Sequence, residues 1–280
     1  MNKKISVIGG DLRQIYAAKN LKEQGYTVTL YGFDTPYLTG LSKSIHLADA
    51  LSETDCVLLP LPVSRDEKLL STPLWEQSLS LEEVFSSLPK KATVLCGMRE
   101  KLPSCYQPQV IDYAEDEAFL LQNAYLTAEA ALGIVISKIP IALRGARVLV
   151  TGYGRIGGFL ATMLHSLGAK TYVASTKSHH LAAIKLAGCE EVSYDGLLDI
   201  LPKMDVVLNT VPVLIFDERM TKQLAKNCLF VDLASHPGGI HQAFAKECGV
   251  QVLHALSLPG KVAPIPSGKI VADTVVRLLS

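Results

Sequence analysis

The sequence predicts an α/β protein: two Rossmann-like, doubly wound domains joined by a long helix, with a cleft between them. Three observations carry this. Short apolar runs alternate with helical patterns from end to end, the rhythm of parallel strands joined by helical crossovers. A stretch almost free of helix breakers separates an earlier α/β half from a later one. In the later half, a glycine-rich turn follows a strand and opens a helix. The length, 280 residues, suits two domains at roughly 100–200 residues each.

In the first half, Lys4–Ile8 reads as a strand and Leu12–Gln24 as a helix stopped by Gly25. Thr27–Tyr31 and Cys56–Leu59 are the next strands, the latter closed by Pro60 and Pro62. Ser80 and Glu83 have capping-box spacing before a short helix. Thr93–Cys96 and Val110–Asp112 read as further strands. From Asp116 to about Ser137, Gly133 is the only glycine or proline, so one long connecting helix is expected there. Ala118, Leu121, Ala124, Tyr125, Ala128, Ala131, Leu132 and Val135 recur at helical spacing, and Ile139-Pro140 ends the pattern.

In the second half, strands are expected at Arg147–Thr151, Thr171–Ser175, Glu191–Ser193, Asp205–Asn209, Leu229–Leu233 and Val250–His254. Helices fill Gly157–Leu167, Ser178–Ala187, Asp217–Ala225 and Gly239–Glu247. Six strands in that order complete a doubly wound unit. Ser267–Leu279 closes the chain as a helix. The expected division is an N-terminal substrate domain over 1–122, the connecting helix over 123–138, a dinucleotide domain over 139–258, and a C-terminal loop and helix over 259–280.

Composition narrows the function. Hydrophobic residues make up 49% and charged residues 19%, enough for a packed core and too little charge for a disordered chain. The 27 basic and 27 acidic side chains cancel. No global field therefore draws the chain to nucleic acid or an anionic membrane, and anion binding must be local. A secretory signal needs an apolar run of about 7–15 residues near the start, whereas only Ile5–Ile8 precede Gly9-Gly10. A cytoplasmic location is expected. The six cysteines form no C-x-x-C pair and no zinc-finger spacing, so they read as reduced structural thiols, with no metal site.

Gly152-Tyr153-Gly154-Arg155-Ile156-Gly157 matches G-x-G-x-x-G in the context the motif requires, strand before and helix after. Gly152 permits the tight turn, Gly154 lets the backbone approach a pyrophosphate, and Gly157 lets helix and strand pack closely. The helix start supplies free N–H groups. About 20 residues on, NAD sites carry an acid for the ribose 2′-hydroxyl. Here Ala174-Ser175-Thr176-Lys177-Ser178 offers hydroxyls and a cation, with Arg155 nearby. That composition suits a 2′-phosphate, so NADP is preferred to NAD. Asn209-Thr210-Val211-Pro212 and Asp232-Leu233-Ala234-Ser235-His236 follow later strands and are expected to face the nicotinamide end. His236 is the titratable group suited to proton transfer near neutrality.

In the first half, Gly9-Gly10-Asp11-Leu12-Arg13-Gln14 also joins a strand to a helix, without dinucleotide spacing. Arg13 falls in the first helical turn, where a guanidinium and the helix dipole suit a carboxylate. Arg65 and Arg99 follow other strands. Each alone reads equally as a surface charge; three at strand ends of one domain favour an anionic substrate.

These motifs resemble the A-subunit family of dipicolinate synthase over essentially the whole chain. The similarity rests on Val7-Ile8-Gly9-Gly10-Asp11-x-Arg13-Gln14, Asn123-Ala124-x-x-Thr127-Ala128-Glu129 and the glycine-rich turn. It rests further on Asp232-Leu233-Ala234-Ser235-x-Pro237-Gly238-Gly239 and Leu258-Pro259-Gly260-Lys261-Val262-Ala263-Pro264. Leu126 and Ala130 stand where the family's connector pattern has Pro and Gly. The resemblance implies a layout similar to D-2-hydroxyacid dehydrogenases and an NADP-linked oxidation that forms dipicolinate. The precursor is hydroxy-tetrahydrodipicolinate or dihydrodipicolinate. It also implies a flavoprotein-like B-subunit of dipicolinate synthase as partner in spore-forming bacteria; a homo-oligomer is expected as well. Arg13, Arg65 and Arg99 would then hold the cyclic dicarboxylate, and Lys261, in a loop before the last helix, would close over it. His236, with Ser235 beside it, would take the proton, with His254 a weaker candidate. Two alternatives stand beside this: a D-2-hydroxyacid-type dehydrogenase, disfavoured because no arginine follows Asn209-Thr210-Val211-Pro212, and a non-catalytic nucleotide-sensing subunit.

Overall fold

The computed structural model describes Lys3 to Ser280. The chain divides into two compact units, one of Met1–Asn123 with Pro259–Ser280, the other of Ala124–Leu258. Each contains a six-stranded, all-parallel sheet.

In the first unit the strands are β1 (Lys4–Ile8), β2 (Thr27–Tyr31), β3 (Ser42–Lys43), β4 (Cys56–Leu58), β5 (Thr93–Cys96) and β6 (Ile111–Asp112), in the order β3-β2-β1-β4-β5-β6. This is the doubly wound order, which places a crevice at the carboxyl ends of β1 and β4, where the winding reverses. β3 and the five-residue helix α2 (Leu47–Leu51) had no sequence signal, because such short pieces carry no measurable periodicity. Helix α3 (Leu81–Ser86) is capped as expected, the Ser80 side chain accepting from the Glu83 N–H at 3.0 Å.

Helix α1 (Leu12–Glu23) packs on the last helix of the chain, Pro264–Leu279. The crossing is close at Gly268, where a Cβ would stand 2.5 Å from the Tyr16 Cβ and 2.7 Å from the Arg13 carbonyl oxygen. Burial of Ile15, Ala18 and Leu21 on one side and Ile270, Val271 and Val275 on the other ties the end of the chain to its beginning.

The long helix α4 (Glu117–Lys138) follows the breaker-free stretch from Asp116 to Ser137 and so begins ahead of the 123–138 connector, and its buried face differs from the expected one. Ala124, Ala128, Ala131, Leu132 and Val135 are buried, whereas Leu121 and Tyr125 are about half exposed and Ala118 is exposed. Phe119, Leu126 and Ala130 take their place. The helix is long and apolar enough to cross a membrane. In this fold, however, its apolar side is committed to protein: Phe119 lies edge-on to Tyr113 in the first unit, and Ala128 through Val135 join the core of the second.

The second unit contains β7 (Arg147–Thr151), β8 (Lys170–Ala174), β9 (Glu190–Val192), β10 (Val206–Asn209), β11 (Leu229–Asp232) and β12 (Gln251–His254), in the order β12-β11-β10-β7-β8-β9. Both faces of the sheet are buried. Val148, Val150, Leu208 and Val231 face one apolar layer, and Leu149, Val207 and Phe230 the other. Strands buried on both sides read as continuous apolar runs, which is why they were legible in the sequence.

Candidate functional site

The strand register of the second unit aligns Thr151, Asn209, Asp232 and His254 in one row across the carboxyl ends of β7, β10, β11 and β12. The side chains of Thr151, Asn209 and Asp232 form a hydrogen-bonded network, with His254 at its edge. The Thr151 hydroxyl donates to Asn209 Oδ1 at 2.7 Å, and Asn209 Nδ2 donates to Asp232 Oδ1 at 2.8 Å. Asp232 also accepts the backbone N–H groups of Ala234, at 3.2 Å, and Gly239, at 2.8 Å. Thr151, Asn209 and Asp232 are fully buried, so each bond replaces solvation that these groups have lost.

The network corrects one expectation. Asn209 does not turn its side chain toward a ligand: it is consumed by Thr151, Asp232 and the Val211 backbone. Its role is to hold the loops after β10 and β11. The side chains of Leu233 and Ala234 are likewise buried, leaving only their backbone for contacts. Asp232, quoted above within a motif but given no role, is the anchor of the loop that carries Ser235 and His236, both exposed.

The phosphate-binding turn has the expected construction. Gly152 takes φ +92°, a left-handed conformation, with Thr210 and Val211 packed against it. A Cβ at Gly157 would run into the Gly152 carbonyl. At Gly154 the surroundings are open, with nothing within 4 Å of where a Cβ would be. Gly154 is the N-cap of α5 (Arg155–Ser166) and provides no side-chain cap. No N-cap side chain occupies the start of α5, and the space beside Gly154 is open, which suits the approach of a pyrophosphate to a helix N-terminus. Arg155 is exposed, Ile156 half-buried and Gly157 buried in this turn.

The equivalent junction in the first unit is filled. The N-cap of α1 is Asp11, in a capping box with Gln14. Leu70 and Thr72 lie over Gly9, each 2.9 Å from where its Cβ would be. Arg13 falls in the first helical turn, as expected, but it is not held open for a ligand. Its Nε and Nη2 donate to Asp11 at 2.8–3.2 Å, its Nη2 also donates to the Leu61 carbonyl, and its side chain is only 5% exposed. The protein's own carboxylate occupies the place where the sequence anticipated a substrate's. Gln14, wholly buried, donates to the Tyr113 hydroxyl at 3.3 Å; burial raises that phenol's pKa well above its usual value.

Gly260 packs on the same ion pair, a Cβ there standing 2.7 Å from Arg13 Nε and 3.0 Å from Asp11 Oδ2. Lys261 is exposed, but it lies in a short helix, Leu258–Val262, rather than in a loop. Arg99 is paired with Glu115 at 3.0 Å, and its backbone N–H donates to Asp112 at 2.7 Å. Arg65 is exposed at the rim of a pocket of about 280 Å³ with Leu70, Ser71 and Thr72.

At the end of β8, Ser175 is buried. Its Oγ lies 2.9 Å from His180 Nδ1 and accepts the Lys177 N–H at 3.3 Å. Thr176 and Lys177 are exposed, and Lys177 is the N-cap of α6 (Ser178–Leu186) without a side-chain cap. The His180 ring meets Tyr153 edge-on at 5.5 Å and His179 at 4.4 Å. Desolvation foremost, then His179 and Lys177, lower its pKa. Across the sheet, the His236 and His254 rings are 6.1 Å apart. His254 Nδ1 is 2.8 Å from Gln242 and 3.8 Å from Asp232, while its Nε2 has no partner among the described residues.

Comparison with known proteins agrees with this division. The family model of the N-terminal domain of the dipicolinate synthase A-subunit matches residues 4–109, and that of the D-isomer specific 2-hydroxyacid dehydrogenase NAD binding domain matches residues 136–235. The chain is 29% identical to the dipicolinate synthase A-subunit of Bacillus subtilis (strain 168), covering 99% of this chain and 96% of that one. The crystal structure of the dipicolinate synthase A-subunit from Bacillus halodurans superposes with a TM-score of 0.89 at 29% identity, covering 99% and 98% of the two chains. Over its whole length the chain is similar to the A-subunits of dipicolinate synthase. The Bacillus subtilis A-chain structure superposes similarly, at 28% identity and a TM-score of 0.86 over 100% and 96% of the two chains. The second unit is thus an NAD-type dinucleotide-binding domain of the 2-hydroxyacid dehydrogenase kind, consistent with a dehydrogenase. The two motifs most specific to the family resemblance, G-G-D-x-R-Q and L-P-G-x-V-A-P, meet in the first unit at Arg13 and Gly260.

Proposed function

We propose that this chain is the NADP-linked subunit that forms dipicolinate from hydroxy-tetrahydrodipicolinate or its dehydrated form. One observation carries the reading: of two like-built strand–helix junctions, Gly154 before α5 is open and uncapped, while that of α1 is filled by Asp11, Leu70 and Thr72. One dinucleotide then belongs to residues 139–258, and residues 1–122 are left for the substrate. Ser175, Thr176 and Lys177, with no acid at the strand end, favour the 2′-phosphorylated form.

The chemistry is water loss from the hydroxy precursor, then transfer of one hydride and one proton to leave an aromatic pyridine dicarboxylate. When bound, the oxidised dinucleotide accepts the hydride. His236, exposed on a loop pinned by Asp232, is the proton acceptor, with Ser235 beside it to orient water or a carboxylate. The charges for the dicarboxylate come from Arg65 and Lys261 first, because Arg13 and Arg99 already have acidic partners. We place the protein in the cytoplasm as a homo-oligomer, working with the flavoprotein-like B-subunit.

The test is an absorbance assay for dipicolinate with freshly generated precursor and NADP, with and without the partner protein. Product in either arm is expected. No product in both, together with oxidation of a D-2-hydroxy acid, would replace this reading with the simpler dehydrogenase.

A further inference from the structure

Ser175 stands where NAD sites carry their ribose-binding acid, yet its hydroxyl is not free: His180 Nδ1 and the Lys177 N–H both converge on it. His180 therefore decides how Ser175 is presented. When His180 is neutral, its Nδ1 can accept the Ser175 O–H, turning that donor away from a ligand. When it is protonated, Nδ1 must donate. The Ser175 O–H is then released toward an anion, and a positive charge appears behind it. Lys177, at the uncapped start of the nine-residue helix α6, supplies the permanent charge beside it.

We propose that His180 is a specificity-determining residue of the dinucleotide site, a positioning group whose protonation releases Ser175 to bind a 2′-phosphate. This rests on the NADP reading above and adds that the discrimination between the two dinucleotides strengthens as pH falls. The groups around His180 are His179 on α6, Lys177 at the helix cap and Tyr153 in the phosphate turn. Desolvation foremost, then His179 and Lys177, opposes its charge in the free protein. A bound phosphate dianion favours that charge, so NADPH binding takes up a proton whereas NADH binding does not.

The experiment measures NADPH and NADH dissociation constants by fluorescence between pH 5.5 and 8.5, for the full chain and for His180→Asn. Asparagine keeps a hydrogen-bonding group near the Nδ1 position and cannot ionise. The 2′-phosphate itself titrates near pH 6, but it does so for both proteins and cancels in their comparison. Wild type is expected to gain roughly tenfold in NADPH preference from alkaline to acid pH beyond any gain of the variant, the worth of a charge-assisted hydrogen bond. Unchanged NADH affinity in the variant reports an intact site. Calorimetry of both proteins in buffers of different ionisation enthalpy, at pH 6.5, gives a second reading: with NADPH the wild type takes up more protons than His180→Asn, and with NADH the two proteins do not differ. Superimposable pH profiles for the two proteins, or equal proton uptake by the two proteins with NADPH, would overturn the role of His180 and leave the NADP reading standing. Absence of NADPH preference at every pH would remove both.

Discussion

Replacing Arg13 with alanine separates a structural arginine from a substrate-binding one. The substitution removes donors to both Asp11 oxygens and to the Leu61 carbonyl. Breaking a fully buried ion pair costs about 3–5 kcal/mol. Asp11 is 29% exposed, so water recovers part of its solvation, and the low end, about 3 kcal/mol, is expected. With a urea dependence of about 2 kcal/mol per molar, the midpoint falls by about 1.5 M. The sequence has a single tryptophan, Trp75, and it lies edge-on to Tyr31 in the first unit at 5.2 Å. Its fluorescence therefore reports unfolding of that unit by itself. Arg13→Ala should shift the Trp75 transition and leave NADPH affinity unchanged. Asp11→Ala/Arg13→Ala together should cost clearly less than the sum of the single changes. An unmoved Trp75 transition with a large rise in KM would show that Arg13 serves the substrate after all.

Gly154→Val should weaken dinucleotide binding strongly with little loss of thermal stability, since nothing lies within 4 Å of the new Cβ; calorimetry and a melting curve check it. Lys177→Glu should weaken NADPH by roughly tenfold or more and NADH far less, read by fluorescence titration. Asp232→Ala leaves the Ala234 and Gly239 N–H groups without this acceptor and Asn209 Nδ2 with only the Val211 carbonyl, and a loss of about 3 kcal/mol is expected by thermal unfolding. Burial pushes the Cys56 and Cys228 thiols up to about 12 and the Cys96 thiol higher still. Thiolate is therefore scarce at these positions at pH 8, and they should react with a disulfide reagent only after unfolding, while exposed Cys105 reacts at once.

The two parallel sheets, the phosphate turn and the likeness to dipicolinate synthase A-subunits were all legible in the local sequence. Strands buried on both faces must be continuously apolar, and a pyrophosphate turn needs glycine at fixed spacing, so both leave local marks that no distant residue can erase. What it left open were questions of partnership. Arg13 has the same local sequence whether it meets a ligand or Asp11, and Lys261 whether its segment is loop or helix. Asn209 and Asp232 lie 23 residues apart, and only the pairing of β10 with β11 brings them together in a buried bond. The coupling of His180 to Ser175 likewise depends on how α6 turns back over the end of β8. Local sequence decides the backbone path; which charge is spent inside the protein and which remains for a ligand is decided by tertiary contacts, because burial and hydrogen-bond partners are properties of the packed chain.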